Sequence, residues 1–332
     1  MFYFERINRR MKHIAQFLFL TLACAAGFFP LSALAQAPAV QPALNQILLP
    51  GEDWHLVAGD LQFADGPCAD AQGNLYFCEM RGTPPVIWRV SPGGEKTKFI
   101  EGTSASGLKL GPDGRLYACI GKEKILIAFD LPDGKKTIIA EDVQPNDLVV
   151  SHRGHIYFTE TGKKQITFVD AKTREKKAVD VGINGPNGIA LSPDQQTLAV
   201  SDSRGVNVWT FHIEADGSLT AKTPAMTLRT PVDPKATNAT PDKPVYKTAS
   251  SGDGMTCDAQ GRYYVSSALG VQIFAKDGSL LGILANPGEK NMTSAAFAGA
   301  HQAYLHVICG DKIFRRKVQA TGFLYHVPPT GK

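Results

Sequence analysis

Short apolar runs recur along the chain at a nearly constant spacing, and each follows a turn rich in Gly, Pro, Asp or other polar residues. The runs read LYFCE, LYACI, IYFTE, LAVSD, YYVSS and LHVIC, and they begin at Leu75, Leu116, Ile156, Leu198, Tyr263 and Leu305, which are 41, 40, 42, 65 and 42 residues apart. Other short apolar segments lie before and after each run. Each unit therefore predicts about four short strands joined by tight turns.

Six units of about forty residues, all of them strands, predict an all-β fold, a six-bladed β-propeller. The segment from His55 to Pro67 resembles the segment from Lys136 to Leu148, where one unit ends and the next begins. Leu56 to Ala58 is thus predicted to supply the outermost strand of the sixth blade, which would cover an open sheet edge. A sandwich of similar strands is the alternative, and the regular period disfavours it.

The propeller is assigned to residues 54–332, with an insertion at residues 223–248. This insertion accounts for the one long spacing, and it is rich in Pro and Thr. It predicts a long loop. Two interpretations stay open: a rim over a pocket, or a loop with no part in binding.

The first 35 residues have the pattern of a secretory signal peptide. Basic residues as far as Lys12 precede an apolar stretch, residues 14–34, and small residues follow before Gln36. We expect residues 1–35 to be cleaved and residues 36–53 to form a linker. A membrane anchor is the alternative, but a proline and the cleavage motif interrupt the apolar stretch. The expected location is periplasmic or secreted, with no membrane association after cleavage.

Charge and cysteine content narrow the function classes. The formal net charge is +4 at pH 7, and the signal segment carries +3 of it, so the remainder is close to neutral and does not indicate nucleic-acid binding. Five cysteines follow the signal segment, an odd number without C-x-x-C spacing. Most are expected to be small buried residues, with one disulfide as an alternative that the sequence cannot assign. They are Cys68, Cys78, Cys119, Cys257 and Cys309.

A polar residue recurs about ten residues before each apolar run, at the start of the innermost strand of each unit. The six residues at this position are Asp65, Ser106, Asn146, Asn187, Asp253 and Ser294. Glycine follows in four of the units, and Asp147 replaces it in the third. Because the innermost strands of a propeller line its central channel, these polar side chains are expected to converge at one end of the channel.

Two carboxylates and two carboxamides in this set offer hard oxygen ligands. Such ligands suit Ca²⁺, with Mg²⁺, Mn²⁺ or Zn²⁺ as alternatives. No Cys or His shares the position, which disfavours a structural zinc site. Asp and Asn also cap turns and strand starts, but their recurrence in four repeats favours a metal site formed by Asp65, Asn146, Asn187 and Asp253.

Four segments carry a family resemblance: ADGPCADAQGNLYF, QPNDLVVSHRGHIYFTE, GPNGIALSPDQQTLAVSDS and GDGMTCDAQGRYYVSSALGVQIF. The sequence resembles the SMP-30/gluconolactonase/LRE-like family (senescence marker protein 30 family) over nearly the whole chain after the signal, from Trp54 to Val318. The resemblance implies a six-bladed propeller with a divalent metal, usually calcium, in the central channel. It also implies hydrolysis of sugar lactones, and some relatives hydrolyse organophosphates.

The resemblance assigns roles residue by residue. The family's metal-binding asparagine in PNG corresponds to Asn187, and its metal-binding and catalytic aspartate in DGM corresponds to Asp253. The asparagine of ND, which binds metal or substrate, is Asn146. The first-blade glutamate of the family is Asp65 here, which is shorter by one methylene. Some lactonases have a sugar-binding arginine where this chain has Gln144.

We therefore expect a metal-dependent lactonase, a carboxylic ester hydrolase acting on a small molecule. A divalent cation can polarise the carbonyl and activate water. Asp253 would be either the general base or the nucleophile. Two alternatives are a non-catalytic metal-containing propeller that acts as a binding protein, and a phosphotriester hydrolase. The chain is expected to be a monomer or weak dimer. The predicted substrate contacts are Ser106, Asn146, Gln144 and Glu160, the last with a solvated surface role as its alternative.

Overall fold

The computed structural model describes residues 42–131, 133–237 and 239–328. In this part of the chain the strands form six four-stranded antiparallel sheets. The innermost strand of each sheet contacts the innermost strands of the two neighbouring sheets, so the sheets form a closed ring of six blades. The predicted all-β, six-bladed β-propeller is confirmed. The predicted signal peptide, residues 1–35, lies outside the described residues.

The strands are short, and each blade runs from an innermost strand to an outermost one. The first strand of the chain, β1 (His55–Ala58), belongs to the last blade. Blades one to three consist of β2 (Ala64–Ala69), β3 (Leu75–Glu79), β4 (Val86–Val90) and β5 (Lys96–Glu101); β6 (Gly107–Leu110), β7 (Leu116–Ile120), β8 (Ile125–Phe129) and β9 (Lys136–Glu141); and β10 (Leu148–Val150), β11 (Ile156–Glu160), β12 (Gln165–Val169) and β13 (Lys176–Val181).

The remaining blades follow the same order. Blades four to six consist of β14 (Pro186–Leu191), β15 (Thr197–Asp202), β16 (Asn207–Ile213) and β17 (Leu219–Thr227); β18 (Met255–Cys257), β19 (Tyr263–Ser267), β20 (Gly270–Phe274) and β21 (Leu280–Leu284); and β22 (Ser294–Ala298), β23 (Tyr304–Cys309), β24 (Lys312–Lys317) and β1. Two 3₁₀ turns, Pro42–Gln46 and Ala300–Gln302, are the helical elements in the described ranges.

The N-terminal strand closes the ring as the sequence predicts. In β1, His55 lies opposite Arg315 of β24, so the outermost strand of blade six comes from the start of the fold. The segment before β1 also packs on the protein: Ile47 is fully buried, and Leu48 forms an isolated bridge with Val318. This pairing ties the beginning and the end of the propeller together and covers a sheet edge.

An aspartate fixes the turn between the first two strands in three blades and explains the sequence repeat there. In blade five the Asp258 carboxylate accepts bonds from the Arg262 backbone N–H (3.0 Å), from Arg262 Nε (2.5 Å) and from the Tyr264 hydroxyl (2.9 Å). Gly261 occupies the turn at φ +83°, which favours glycine. The same link between an aspartate and a tyrosine joins Asp70 to Tyr76 and Asp113 to Tyr117.

Most of the long insertion follows the outermost strand of blade four. Strand β17 extends to Thr227. Between it and β18 the described residues, 228–237 and 239–254, form isolated bridges but no strand: Val232 pairs with Tyr246 and Thr240 with Lys243. All five cysteines in the described ranges are buried and free, as expected for small core residues. In the same ranges, no helix has the length and apolarity of a membrane span.

Asp258→Ala is expected to lower the free energy of unfolding by about 3 kcal/mol, because it leaves the Arg262 guanidinium without its buried partner. Asp113→Ala removes the equivalent link in blade two, where the carboxylate side chain is 38% exposed against 0% for Asp258. It should lower the free energy by only about 1 kcal/mol. Urea denaturation of both variants checks this prediction, and equal losses would contradict it.

Candidate active site

The six innermost strands approach one another closely at one end of the channel. A Cβ added to Gly107 would lie 2.9 Å from the Cα of Asp147, and one added to Gly188 would lie 2.8 Å from the Cα of Gly254. Two further contacts of this kind join Gly66 to Gly107 and Gly254 to Ser294. Real Cβ atoms do not approach other carbons this closely. The strands can therefore come this near to each other only because these positions are glycine, or else the neighbouring atoms would have to shift.

Hydrogen bonds complete the circle where glycine is absent. The backbone N–H of Ile189 donates to Asp147 Oδ2 over 3.4 Å, which joins blade three to blade four. The Thr293 hydroxyl donates to the carbonyl of Ala64 over 3.2 Å, which joins blade six to blade one. All six blades therefore meet at one end of the channel. The residues that directly precede the glycine level form a single ring there.

The polar ring at the channel mouth contains five of the predicted residues and corrects the sixth. Ser294 was predicted as its member in blade six, but it packs against Gly254 at the glycine level. Thr293 occupies the ring position, and its backbone N–H donates to Ile308 O (2.9 Å) just as the backbone N–H of Asn146 donates to Thr159 O (2.8 Å). The polar ring consists of Asp65, Ser106, Asn146, Asn187, Asp253 and Thr293.

Burial alternates sharply at this mouth. The predicted members of the ring in blades one to five are partly exposed, whereas the next residue in each strand is buried. Hydroxyl groups bind the ring carbonyls from neighbouring strands: Ser106 Oγ donates to Asn146 O (2.7 Å), Thr159 Oγ1 to Asn187 O (2.7 Å) and Ser201 Oγ to Asp253 O (2.9 Å). These bonds fix the backbone under the ring without using the Asn146 and Asn187 carboxamides.

The two ring carboxylates interact unfavourably with each other. Burial raises the pKa of Asp65 to about 7, against an ordinary value of 3.8, and the negative charge of Asp147 adds to this shift. Burial also raises the pKa of Asp253 well above its ordinary value, and the charge of Asp65 is the next cause. The Asn187 carboxamide opposes that shift. Both carboxylates therefore hold their protons to a higher pH than an ordinary aspartate does.

Lys109 and Asp147 are parts of the site that the sequence analysis missed. Asp147 is buried, its Oδ1 accepts the Leu148 N–H over 2.8 Å, and Lys109 Nζ lies 3.7 Å from the same oxygen. Burial raises the pKa of Asp147, and Lys109 opposes this. A signal was present in the sequence, since the other blades carry small or apolar residues where Lys109 stands: Cys68, Val149, Ala190, Thr256 and Ala296.

Glu160 lies beside the ring, but its carboxylate is already engaged by the protein. It is 1% exposed and accepts bonds from the Gln144 N–H (2.7 Å), from Thr167 Oγ1 (2.6 Å) and from Lys163 Nζ (2.7 Å). Its role in the structure is to hold the segment that leads into Asn146. Carboxylates at matching strand ends do the same in other blades, with Glu79 bound by Gln62 N and Asp202 bound by Gly185 N.

An open cavity of about 280 Å³ adjoins the polar ring between blades two and three. Ser106, Gln144 and Asn146 line it, so three of the four predicted substrate residues share one space. Lys122 and Met80 also line it. A cavity that borders the ring on one side can hold the part of a ligand that extends away from the channel axis.

The donor types define which ions the ring could hold. In the described ranges, no group of three or more His, Cys, Asp or Glu side chains is arranged to bind a metal. Asp65 and Asp253 would therefore need oxygens from Asn146, Asn187 and water to complete a shell. Such a mixed oxygen set fits the hard cation Ca²⁺, which accepts six to eight oxygens.

The chelator-treated protein should lose stability as pH rises from about 4 to about 7. In this window the folded chain binds more protons than the unfolded chain, because the pKa of Asp65 rises from 3.8 to about 7, so the free energy of unfolding falls with pH. Melting temperatures measured in EDTA between pH 4 and pH 8 check this. Asp65→Asn should flatten the decline. A wild-type stability that rises through this window would refute the charge assignment.

Comparison with known proteins places the chain in the family that its sequence resembles. Residues 63–309 match the family described as SMP-30/Gluconolactonase/LRE-like region. The chain is 27% identical over 296 residues to a gluconolactonase of Zymomonas mobilis, covering 78% of this chain and 80% of the relative. It is 24% identical over 307 residues to a lactonase of Staphylococcus saprophyticus, covering 85% and 88%.

Two solved structures share the fold. A gluconolactonase of Xanthomonas campestris superposes with a TM-score of 0.69 at 22% identity, over 84% of this chain and 93% of the other. A regucalcin of Agrobacterium tumefaciens, described as a calcium-binding protein, superposes with a TM-score of 0.65 at 18% identity, over 83% and 98%. From its propeller, its polar ring and this match across most of its length, we conclude that the chain belongs to the SMP-30/gluconolactonase/LRE-like family.

Proposed function

We propose that this protein hydrolyses a lactone or a related carboxylic ester and that it requires a divalent cation, preferentially Ca²⁺, at the polar ring. The observation that carries the proposal is the convergence of Asp65 and Asp253 with the carboxamides of Asn146 and Asn187 at one end of the channel. This arrangement offers oxygen ligands and a partly exposed carboxylate at the same place.

The charge of the site supports a divalent ion. Asp65, Asp147 and Asp253 face one nearby ammonium group, that of Lys109. When all four groups are ionised, two negative charges stay uncompensated, which equals the charge of one divalent cation. Buried carboxylates without partners either take up protons or bind metal ions. Burial raises the pKa values of Asp65 and Asp253, and the neighbouring negative charges add to both shifts.

The relatives support both the reaction and the ion. The Zymomonas relative is a gluconolactonase and the Staphylococcus relative is a lactonase, and this chain covers at least four fifths of each. The Agrobacterium regucalcin is described as calcium-binding. In this chain the metal ligands would be Asp65, Asn187 and Asp253, with Asn146 as a ligand or a substrate contact.

Different residues of the site have different roles in the proposed hydrolysis. A bound divalent cation supplies Lewis-acid polarisation of the ester carbonyl and lowers the pKa of water. Asp253 accepts the proton of the attacking water, and burial together with the neighbouring charge of Asp65 increases its proton affinity. As the C–O bond of the lactone breaks, the leaving oxygen takes up this proton and the product is a hydroxy acid. Asn146 and Gln144, whose carboxamides have no hydrogen-bond partner within the described part of the chain, orient the substrate hydroxyl groups.

Asp253→Asn should abolish Ca²⁺-dependent hydrolysis of glucono-1,5-lactone, with a loss of about a thousandfold or more in kcat, because the variant has neither the ligand charge nor the base. A pH-indicator assay on the chain without residues 1–35, with and without chelator, measures this. Asp277→Asn, at an exposed turn, is the matched control. It should leave the rate unchanged.

The same two variants separate the enzyme from a non-catalytic propeller. Calcium should raise the melting temperature of the wild type and of Asp277→Asn at pH 7, and it should leave that of Asp253→Asn nearly unchanged. A stabilisation by calcium without hydrolysis of any lactone would contradict the enzyme and favour a binding protein. Hydrolysis that persists in full in chelator would contradict the metal requirement.

A further inference from the structure

The cavity beside the polar ring has an uneven distribution of charge. Its lining includes the carboxamides of Gln144 and Asn146 on the side of the channel and Lys122 on the turn between β7 and β8. Among the residues that the structure describes, Lys122 is the one charged residue that lines it, and no carboxylate does. A ligand in this cavity therefore contacts hydrogen-bonding groups near the axis and a cation farther out.

Lys122 differs from the lysines on the neighbouring turn because its charge is not engaged. Lys163 pairs with Glu160 over 2.7 Å, and Lys164 Nζ donates to Asn184 Oδ1 over 3.0 Å. Within the described ranges, Lys122 Nζ has neither an ion pair nor a hydrogen bond, and the residue is exposed. Its ammonium group is therefore available to a ligand.

One set of turns at the mouth has an excess of basic residues. The turns that join the second and third strands of the blades all lie at this end of the channel, and they carry six basic residues against two acidic ones. The basic residues are Arg81, Lys122, Lys124, Lys163, Lys164 and Arg204, and the acidic ones are Glu123 and Asp311. Asp311 is paired with Lys290 over 2.9 Å. The connections that lead into the ring carry further acidic residues, among them Asp60, Asp142 and Glu289, and none of these lines the cavity.

From this geometry we propose that the substrate is an anionic lactone or ester, with a carboxylate or phosphate group on the part of the molecule that extends from the ring toward Lys122. The inference rests on the proposed hydrolytic function and specifies its substrate class. The scissile ester lies at the polar ring, the sugar hydroxyl groups contact Gln144 and Asn146, and the anionic group pairs with Lys122. A basic rim also attracts anions from solution and increases their rate of association.

The test compares three lactones that share a ring and differ in one substituent: glucono-1,5-lactone, its analogue with a carboxylate at carbon 6, and its 6-phosphate. Lys122→Met keeps the length of the side chain and removes its charge. It should lower kcat/KM for the anionic lactones by about fivefold to tenfold, mainly through KM. Lys124→Met, on the same turn but outside the cavity lining, is the matched control.

The expected results separate this inference from the function on which it rests. Wild type should prefer one or both anionic lactones, and added salt should reduce the preference. Lys122→Met should leave the neutral lactone within about twofold of wild type, and Lys122→Arg should restore the preference. A larger effect on the carboxylate than on the phosphate, or the reverse, identifies the anion.

Two outcomes would overturn the proposal. Hydrolysis of the neutral lactone with no preference for either anion, or an equal effect of Lys122→Met on all three substrates, rejects the anionic substrate and leaves the hydrolase in place. Hydrolysis of none of the three lactones removes the proposed function and this inference with it.

Discussion

The close approach of six backbone segments around one axis determines what this protein can hold at the channel mouth. At the glycine level the neighbouring blades come so near that a Cβ on Gly188 would lie 2.2 Å from the Asp253 carbonyl oxygen. Glycine therefore occupies this level in four blades, and the polar side chains of Asp65, Asn187 and Asp253 stand at the preceding position. The same packing that closes the propeller concentrates polar groups in one small ring.

This concentration links stability to function. Burial raises the pKa values of the ring carboxylates, and repulsion between neighbouring negative charges adds to the shift. Lys109 compensates only part of that charge from below the ring. A divalent ion would remove the remaining repulsion and at the same time activate water. The cluster of carboxylates is a local weakness in the fold, and a bound metal ion would relieve it at the proposed catalytic centre.

The sequence predicted the architecture well because the propeller repeats itself. Regular spacing of the apolar runs predicted six blades, and the likeness between the segments around Leu56 and Lys136 predicted the closure by β1. The residues of the candidate site were harder to predict from the sequence than the fold. Register in blade six was off by one residue, since Ser294 and Thr293 are both small and polar. A strand pattern does not distinguish the two, whereas the contact of Ser294 with Gly254 does.

The sequence did not predict the side-chain partners of some site residues, for a different reason. Lys109 and Asp147 belong to different blades, and only the ring places the Lys109 Nζ and Asp147 Oδ1 atoms 3.7 Å apart. Glu160 is predicted as a substrate contact from its place at a strand end, but its carboxylate accepts bonds from the Gln144 N–H on the connection before β10 and from the Thr167 hydroxyl on β12. The sequence repeat does not reveal such partners, because they lie close to each other only in the folded structure.

The most direct test of the central claim is calorimetric titration of the chelator-treated chain, without residues 1–35, with Ca²⁺ at pH 7. The account predicts that one ion binds per chain, that protons are released on binding as the ring carboxylates ionise, and that Asp253→Asn abolishes the signal while Asp277→Asn retains it. Binding of equal affinity in both variants, or no binding to the wild type, would contradict the assignment of the polar ring as the metal centre.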